Sequence, residues 1–186
     1  MKSKIVFLKE FFKNPSKTGS LIPSSKYLAK EMIASINFKR NIIIVEYGPG
    51  EGVFSKEIIK RKNKESIIIL IELNKIFYNQ LKNKFKNIDN VFIFNDSVEN
   101  VEDILKYLNI NNVDYIISGI PFSSLPKEIT KIILKNTLKI MNSKSSFITF
   151  QYSKIKFKLF FNYFKSINII KVWKNFPPAY VLNCKI

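Results

Sequence analysis

The sequence predicts an α/β domain built on a mostly parallel, seven-stranded sheet with helices on both faces. Three observations lead there. Short β-branched runs end in acidic or hydroxyl side chains, amphipathic segments at helical spacing separate them, and 186 residues suit one continuous core.

The first strand is Asn41 to Glu46 (NIIIVE), which runs into the glycine cluster Gly48, Gly50 and Gly52. Val53 to Arg61 reads as a helix with Ile58 and Ile59 inside. Ser66 to Ile71 is the second strand and ends at Glu72. Asn74 can cap a helix to about Lys86 whose apolar face is Ile76, Phe77, Leu81 and Phe85. Val91 to Phe94 is the third strand, closed by Asn95, Asp96 and Ser97, and Val113 to Ser118 is the fourth. Ser124 and Pro126 open a helix to about Met141 with Ile129, Ile132, Ile133, Ile140 and Met141 inward. Phe147 to Tyr152 is the fifth strand. Phe157, Phe160, Phe161 and Phe164 stand at helical spacing, although Lys154 to Leu159 alternates like a strand. Ile167 to Trp173 and Tyr180 to Ile186 are two closing strands around the turn Asn175 to Ala179. In such sheets ligands sit at the carboxyl ends of the strands, where Glu46, Glu72, Asp96 and Ser118 fall.

Composition narrows the chemistry. Cys184 is the only cysteine and there is no histidine, so an internal disulfide, a histidine general base and the commonest zinc ligand are excluded, and no metal is expected. The 31 Lys plus Arg against 14 Asp plus Glu give +17. That charge predicts a polyanionic partner, either an anionic membrane surface or nucleic acid, unless it reflects only a bias toward Lys, Asn and Ile. No run is long and apolar enough to span a bilayer, and Lys9, Glu10 and Lys13 interrupt the start before a signal peptide could form. A cytoplasmic protein is expected.

Glu46-Tyr47-Gly48-Pro49-Gly50-Glu51-Gly52 places G-x-G-x-G directly after a strand, where backbone can approach a ligand closely. Glu72, 20 residues after Gly52, can accept from both hydroxyls of a ribose. Asp96 and Ser97 can receive an adenine amino group, although Asp96 can equally cap a helix. The turn is not G-x-G-x-x-G, and Glu46 beside it would repel a pyrophosphate while tolerating a cationic sulfonium and ammonium. An adenosine cofactor without phosphates fits.

These residues resemble motif I of class I methyltransferases, with Glu72 and Asp96 at the second and third motif positions. More specifically, the chain resembles bacterial phospholipid N-methyltransferases, related in fold to ribosomal RNA adenine dimethylases. Three further segments carry that resemblance: Thr18 to Ser25 (TGSLIPSS), Ser118 to Pro126 (SGIPFSSLP) and Trp173 to Val181 (WKNFPPAYV). The resemblance implies a Rossmann-like fold over 17–186 that binds S-adenosylmethionine through Ser20, Glu46, Tyr47, Gly48, Gly50, Glu72, Leu73, Asp96, Ser97 and Ser118. It implies that Ser118, Gly119, Ile120, Pro121 and Phe122 border the transferred methyl. Tyr27, Phe122, Tyr152 and Tyr180 are candidates to surround a methylated ammonium by cation–π contact. Adenine dimethylases carry Asn or Asp where this chain has Ser118, and a helical C-terminal domain follows their last strand. Both differences argue against RNA, and the expected substrate is the amine of an ethanolamine phospholipid; the alternatives are an RNA adenine or small-amine methyltransferase, or a catalytically silent RNA- or membrane-binding module with this fold.

Residues 1–16 form a separate predicted element. On a helix, Ile5, Phe7, Leu8, Phe11 and Phe12 share one face and Lys2, Lys9, Glu10 and Lys13 the other, the pattern of an interfacial helix on an anionic membrane. Lys4 and Val6 interrupt the two faces, and a helix of this kind can also simply cover the core.

Overall fold

The computed structural model describes residues 25–155 and 157–186. Residues 1–24, with the predicted interfacial helix and Ser20, lie outside them.

Seven strands form one sheet: β1 (Ile43–Tyr47), β2 (Ile67–Ile71), β3 (Val91–Phe94), β4 (Tyr115–Ser118), β5 (Ser146–Gln151), β6 (Ser166–Val172) and β7 (Ala179–Lys185). Their order is β3-β2-β1-β4-β5-β7-β6. Only β7 runs against the others, pairing antiparallel with both β5 and β6. The crossovers leave every pairing from β3 through β5 parallel, as the sequence predicts.

Among the described residues, six helices cover the two faces. Helices α1 (Lys26–Met32), α2 (Val53–Arg61) and α3 (Lys75–Phe85) lie on one; α4 (Val101–Tyr107), α5 (Lys127–Ile140) and the short α6 (Phe157–Phe161) lie on the other. The β-branched runs explain the double cover. Ile44, Ile68, Leu70 and Ile117 point to the α1–α3 side while Val45, Ile69, Ile71 and Ile116 point to the α4–α6 side. All are buried, and each such side chain contributes about 1.5 to 3 kcal/mol by leaving water.

Local signals set the helix ends. The Asn74 side chain accepts from the N–H groups of Ile76 and Phe77, as its position before α3 predicts. Ile76, expected inside, is 67% exposed, because α3 buries Leu81 and Phe85 instead. Helix α5 likewise buries Ile129, Ile133 and Leu134 with Thr130 and Thr137, leaving Ile132 and Ile140 only partly covered. The alternating stretch from Lys154 does not make a strand. Phe157 and Phe160 in α6 and Phe164 beyond it pack into the core, whereas Phe161 faces out. Neither α1 nor α4 is evident in the sequence, since both are only 7 residues long and supply little periodicity.

One long-range tie joins the start of the described chain to its end. The Ser25 hydroxyl, which caps α1, donates to Asn175 Oδ1 at 2.6 Å across the β6–β7 turn.

Candidate active site

The carboxyl ends of β1 to β4 meet in a cleft lined by Gly48, Ile71, Glu72, Leu73, Asp96, Ser97, Val98, Ile120 and Ile133. Glu72 organises its floor. Its Oε2 accepts the Gly50 N–H at 2.9 Å and its Oε1 the Asn74 N–H at 2.8 Å, so one carboxylate ties the glycine turn to the start of α3. Each oxygen keeps a further lone pair for a ligand hydroxyl. Gly48 has φ +61°, and an added Cβ would stand 3.1 Å from Ile120, so a side chain there would be strained and would crowd the cleft wall.

Glu46 lies beneath the turn rather than in the cleft wall. It is fully buried, and its Oε2 accepts the Ser55 hydroxyl at 2.7 Å while Oε1 has no partner among the described residues. Burial pushes its carboxyl from the ordinary 4.5 up to about 8; the Ser55 hydrogen bond opposes the rise, and the nearby Glu72 charge adds to it. Burial also raises Glu72, against the backbone N–H groups of Asn74, Gly50 and Leu73 that hold its charged form. Two enclosed carboxyls with one unused oxygen make a setting that favours a cation.

Asp96 and Ser97 form the third side. Asp96 Oδ1 accepts the Ser97 N–H at 2.7 Å and the Asn100 amide at 2.8 Å, which orients the carboxylate at the cleft edge. Ser97 itself caps the 3-10 turn Val98–Asn100. The fourth side is the segment after β4. Ser118 is fully buried, and its hydroxyl accepts the Ile120 N–H at 3.3 Å. Gly119 donates its N–H to Tyr47 O at 2.9 Å, and a Cβ built on it would meet Gly48 O at 2.6 Å. The two loops therefore touch backbone to backbone. Gly119→Ala should force them apart and slow methyl transfer about 100-fold in single-turnover assays, the scale expected of an ångström-sized misplacement, while the circular dichroism spectrum is unchanged.

The family model described as ribosomal RNA adenine dimethylase matches residues 11–162. The chain belongs to this family. It is an S-adenosylmethionine-dependent methyltransferase with the Rossmann-like class I fold. It is similar to an ornithine lipid N-methyltransferase of Singulisphaera acidiphila, 26% identical over 186 residues, covering 100% of this chain and 97% of that protein. It is also similar to ribosomal RNA small subunit methyltransferase A of Ureaplasma parvum, 32% identical over 140 residues; the match covers 67% of this chain and 49% of that relative, about half its length. An S-adenosylmethionine-dependent methyltransferase structure from Aquifex aeolicus superposes with a TM-score of 0.65 at 14% identity, covering 100% of this chain and 98% of that one.

Within this methyltransferase several predicted side chains fall elsewhere than expected. The Tyr47 ring is fully buried in the core, where its hydroxyl accepts from Thr137 Oγ1 at 3.4 Å, so only its backbone reaches the turn. Phe122 is also fully buried, with edge contacts to Phe147 and Phe160, and forms no open wall for a substrate. The four proposed ammonium ligands do not form one cage. Tyr152 packs with the α1–α3 core, beside the face that carries Tyr27 on α1, while Phe122 and Tyr180 belong to the opposite core. Among the described residues, no group of three or more His, Cys, Asp or Glu is placed to hold a metal.

Sequence reasoning passed over Ser55, Asn95 and Gln151. Asn95 donates its amide to the carbonyls of Glu72 and Leu73 at 2.9 and 3.1 Å, stitching the ends of β2 and β3 together. Its place in the Asn-Asp-Ser cluster was the available signal. Gln151, at the carboxyl end of β5, is buried with Nε2 unpaired among the described residues. An amide ending an apolar strand marks it in the sequence.

Proposed function

We propose that this enzyme methylates the amine of an ethanolamine phospholipid at a membrane surface, in successive rounds toward the choline head group. The observation that carries this reading is the end of β4. Ser118 is buried and its hydroxyl is engaged by the Ile120 N–H, so this position offers no carboxamide or carboxylate to the amino hydrogens of a planar base. An aliphatic amine needs no such acceptor. The full-length similarity to a protein named for methylating a lipid amine supports the same reading.

The residues present fit the methyl donor: the glycine turn admits close backbone approach, Glu72 has acceptor capacity for two ribose hydroxyls, and Glu46 has an unused buried oxygen. When bound, the donor supplies a methyl group on a cationic sulfur. In this proposal Asp96 and Ser97 face the adenine, Leu73 and Ile120 pack along it, and Gly48 and Gly50 take the carboxylate end. Ser118 to Phe122 hold the acceptor amine in line through their backbone, Tyr27, Tyr152 and Tyr180 standing further out. Proximity to positive charge lowers the amine's pKa, so it gives its proton to water or a carboxylate, with a backbone carbonyl accepting its hydrogen bond, and needs no histidine. Positioning then dominates the rate. Residues 1–16 act as an interfacial anchor beside the catalytic domain of 17–186.

A second reading, methylation of adenine in RNA, is favoured by the Ureaplasma relative and by the +17 charge. Labelled S-adenosylmethionine offered in parallel with phosphatidylethanolamine vesicles, ornithine-lipid vesicles, RNA and free ethanolamine decides between them. The expected result is label in mono-, di- and trimethylated phosphatidylethanolamine. Label confined to ornithine lipid would change the head group, and label in RNA would overturn the lipid reading.

A further inference from the structure

The positive charge is unevenly placed. Residues 129–186 contain eleven lysines and no acidic residue, so they carry +11 of the net +17. They supply most of α5, with Lys131, Lys135 and Lys139, and then β5, α6, β6 and β7, the half of the sheet beyond the cofactor cleft, which carries the other eight lysines.

At the carboxyl end of that half, large apolar side chains stand in solvent. Trp173 and Phe176, in the β6–β7 turn, are 70% and 88% exposed, and Ile155, in the turn between β5 and α6, is 85% exposed. Lysines interleave with them. Lys171 Nζ lies 3.2 Å from the Trp173 ring centroid and 5.4 Å from that of Tyr180, and Lys154 Nζ approaches the same Tyr180 ring at 5.4 Å, which joins the two turns into one surface. Lys174 lies 5.5 Å from the Tyr27 ring on the neighbouring helix. None of these three lysines takes part in a salt bridge among the described residues.

This surface opens at the same end of the sheet as the catalytic segment. Ser118 is in register with Thr149, and Gln151, two residues on, with Tyr180, so β7 lies two strands, roughly 10 Å, from β4. We propose that the two turns carrying Ile155, Trp173 and Phe176, with Lys154, Lys171 and Lys174, seat the enzyme on an anionic lipid surface. Exposed apolar tips enter the acyl boundary, the tryptophan ring lies at head-group depth, and the lysines meet lipid phosphates. Protruding tips suit a bilayer better than a nucleic acid, which is bound along a basic groove. The inference rests on the lipid reading above for its biological setting, but its test is separate.

Trp173 is the only tryptophan, so its fluorescence reports this surface alone. The full-length protein is titrated with vesicles of phosphatidylethanolamine and phosphatidylglycerol, plain or brominated on the acyl chains near the head group. Expected are a blue shift of emission and at least a two-fold loss of intensity with the brominated lipid. The double variant Ile155→Ala, Phe176→Ala should bind vesicles about ten-fold more weakly, and Lys171→Gln or Lys174→Gln about five-fold each. All should methylate a short-chain, micelle-free phosphatidylethanolamine as the unaltered protein does. Vesicle binding without quenching of Trp173, or unchanged affinity of the double variant, would overturn the proposal. So would a Trp173 response to RNA with none to vesicles. Quenching without methylation of any lipid amine would uphold this surface and sink the substrate reading instead.

Discussion

Glu72→Ala should abolish measurable binding of S-adenosylmethionine by calorimetry, raising Kd at least 100-fold, or about 2.7 kcal/mol. The effect has two parts. The substitution removes the acceptor proposed for both ribose hydroxyls, and charged hydrogen bonds of this kind contribute about 1.5 to 3 kcal/mol each. It also frees the N–H groups of Gly50 and Asn74, which the carboxylate holds at 2.9 and 2.8 Å, so the glycine turn loses its tie to α3. Glu72→Gln separates the parts, because its single oxygen can keep one backbone partner while the negative charge is lost. A folded Glu72→Ala protein that binds the cofactor normally would show that the ribose lies elsewhere.

The buried Glu46 should make both stability and cofactor uptake depend on pH. Its carboxyl titrates near 8 in the folded protein and near 4.5 when unfolded. The native state therefore holds the proton more tightly, and the stability this contributes is complete below about pH 4.5 and is lost as pH rises through about 8. Glu46→Gln keeps the shape and stays neutral, so it should flatten this dependence. At pH 9 it should exceed the unaltered protein by several kcal/mol, or roughly 5 to 10 °C in melting temperature. In the proposed complex the cationic end of the cofactor faces Glu46 and pulls its pKa down, so binding near pH 7 should release up to one proton. Calorimetry in buffers of different ionisation enthalpy measures that release. Equal release by the Glu46→Gln variant would assign the proton to another group, Glu72 first among them.

The central sheet was legible because β1, β2 and β4 are short apolar runs buried on both faces with a polar residue at the carboxyl end, and the half-covered edge strand β3 ends in the same way. Helices α2, α3 and α5 were legible from spacing and caps. The 7-residue α1 and α4 were not, since two turns give a periodicity too brief to separate from loop. At the site, the backbone-level features could be read: the turn at Gly48 and Gly50, and Glu72 at the next strand end. Side-chain direction could not. Tyr47 and Phe122 sit beside reactive backbone yet point into the core, because alternation along a strand and the fold of a tight loop send neighbours to different faces. The pairing of Glu46 with Ser55 was hidden for the same reason, being made between a strand and the helix packed over it.

The hydrogen bond from Ser25 to Asn175 fixes the start of α1 to the β6–β7 turn, beside Trp173 and Phe176. If residues 1–16 meet the bilayer as proposed, they and the surface carrying Trp173 and Phe176 would act on it as a bivalent ligand. Once either has landed, the other is held near the surface at a millimolar effective concentration, on the order expected of a short linker. Two contacts that are each weak and reversible can then give long residence. Release needs both to let go together, so weakening either one shortens that residence steeply.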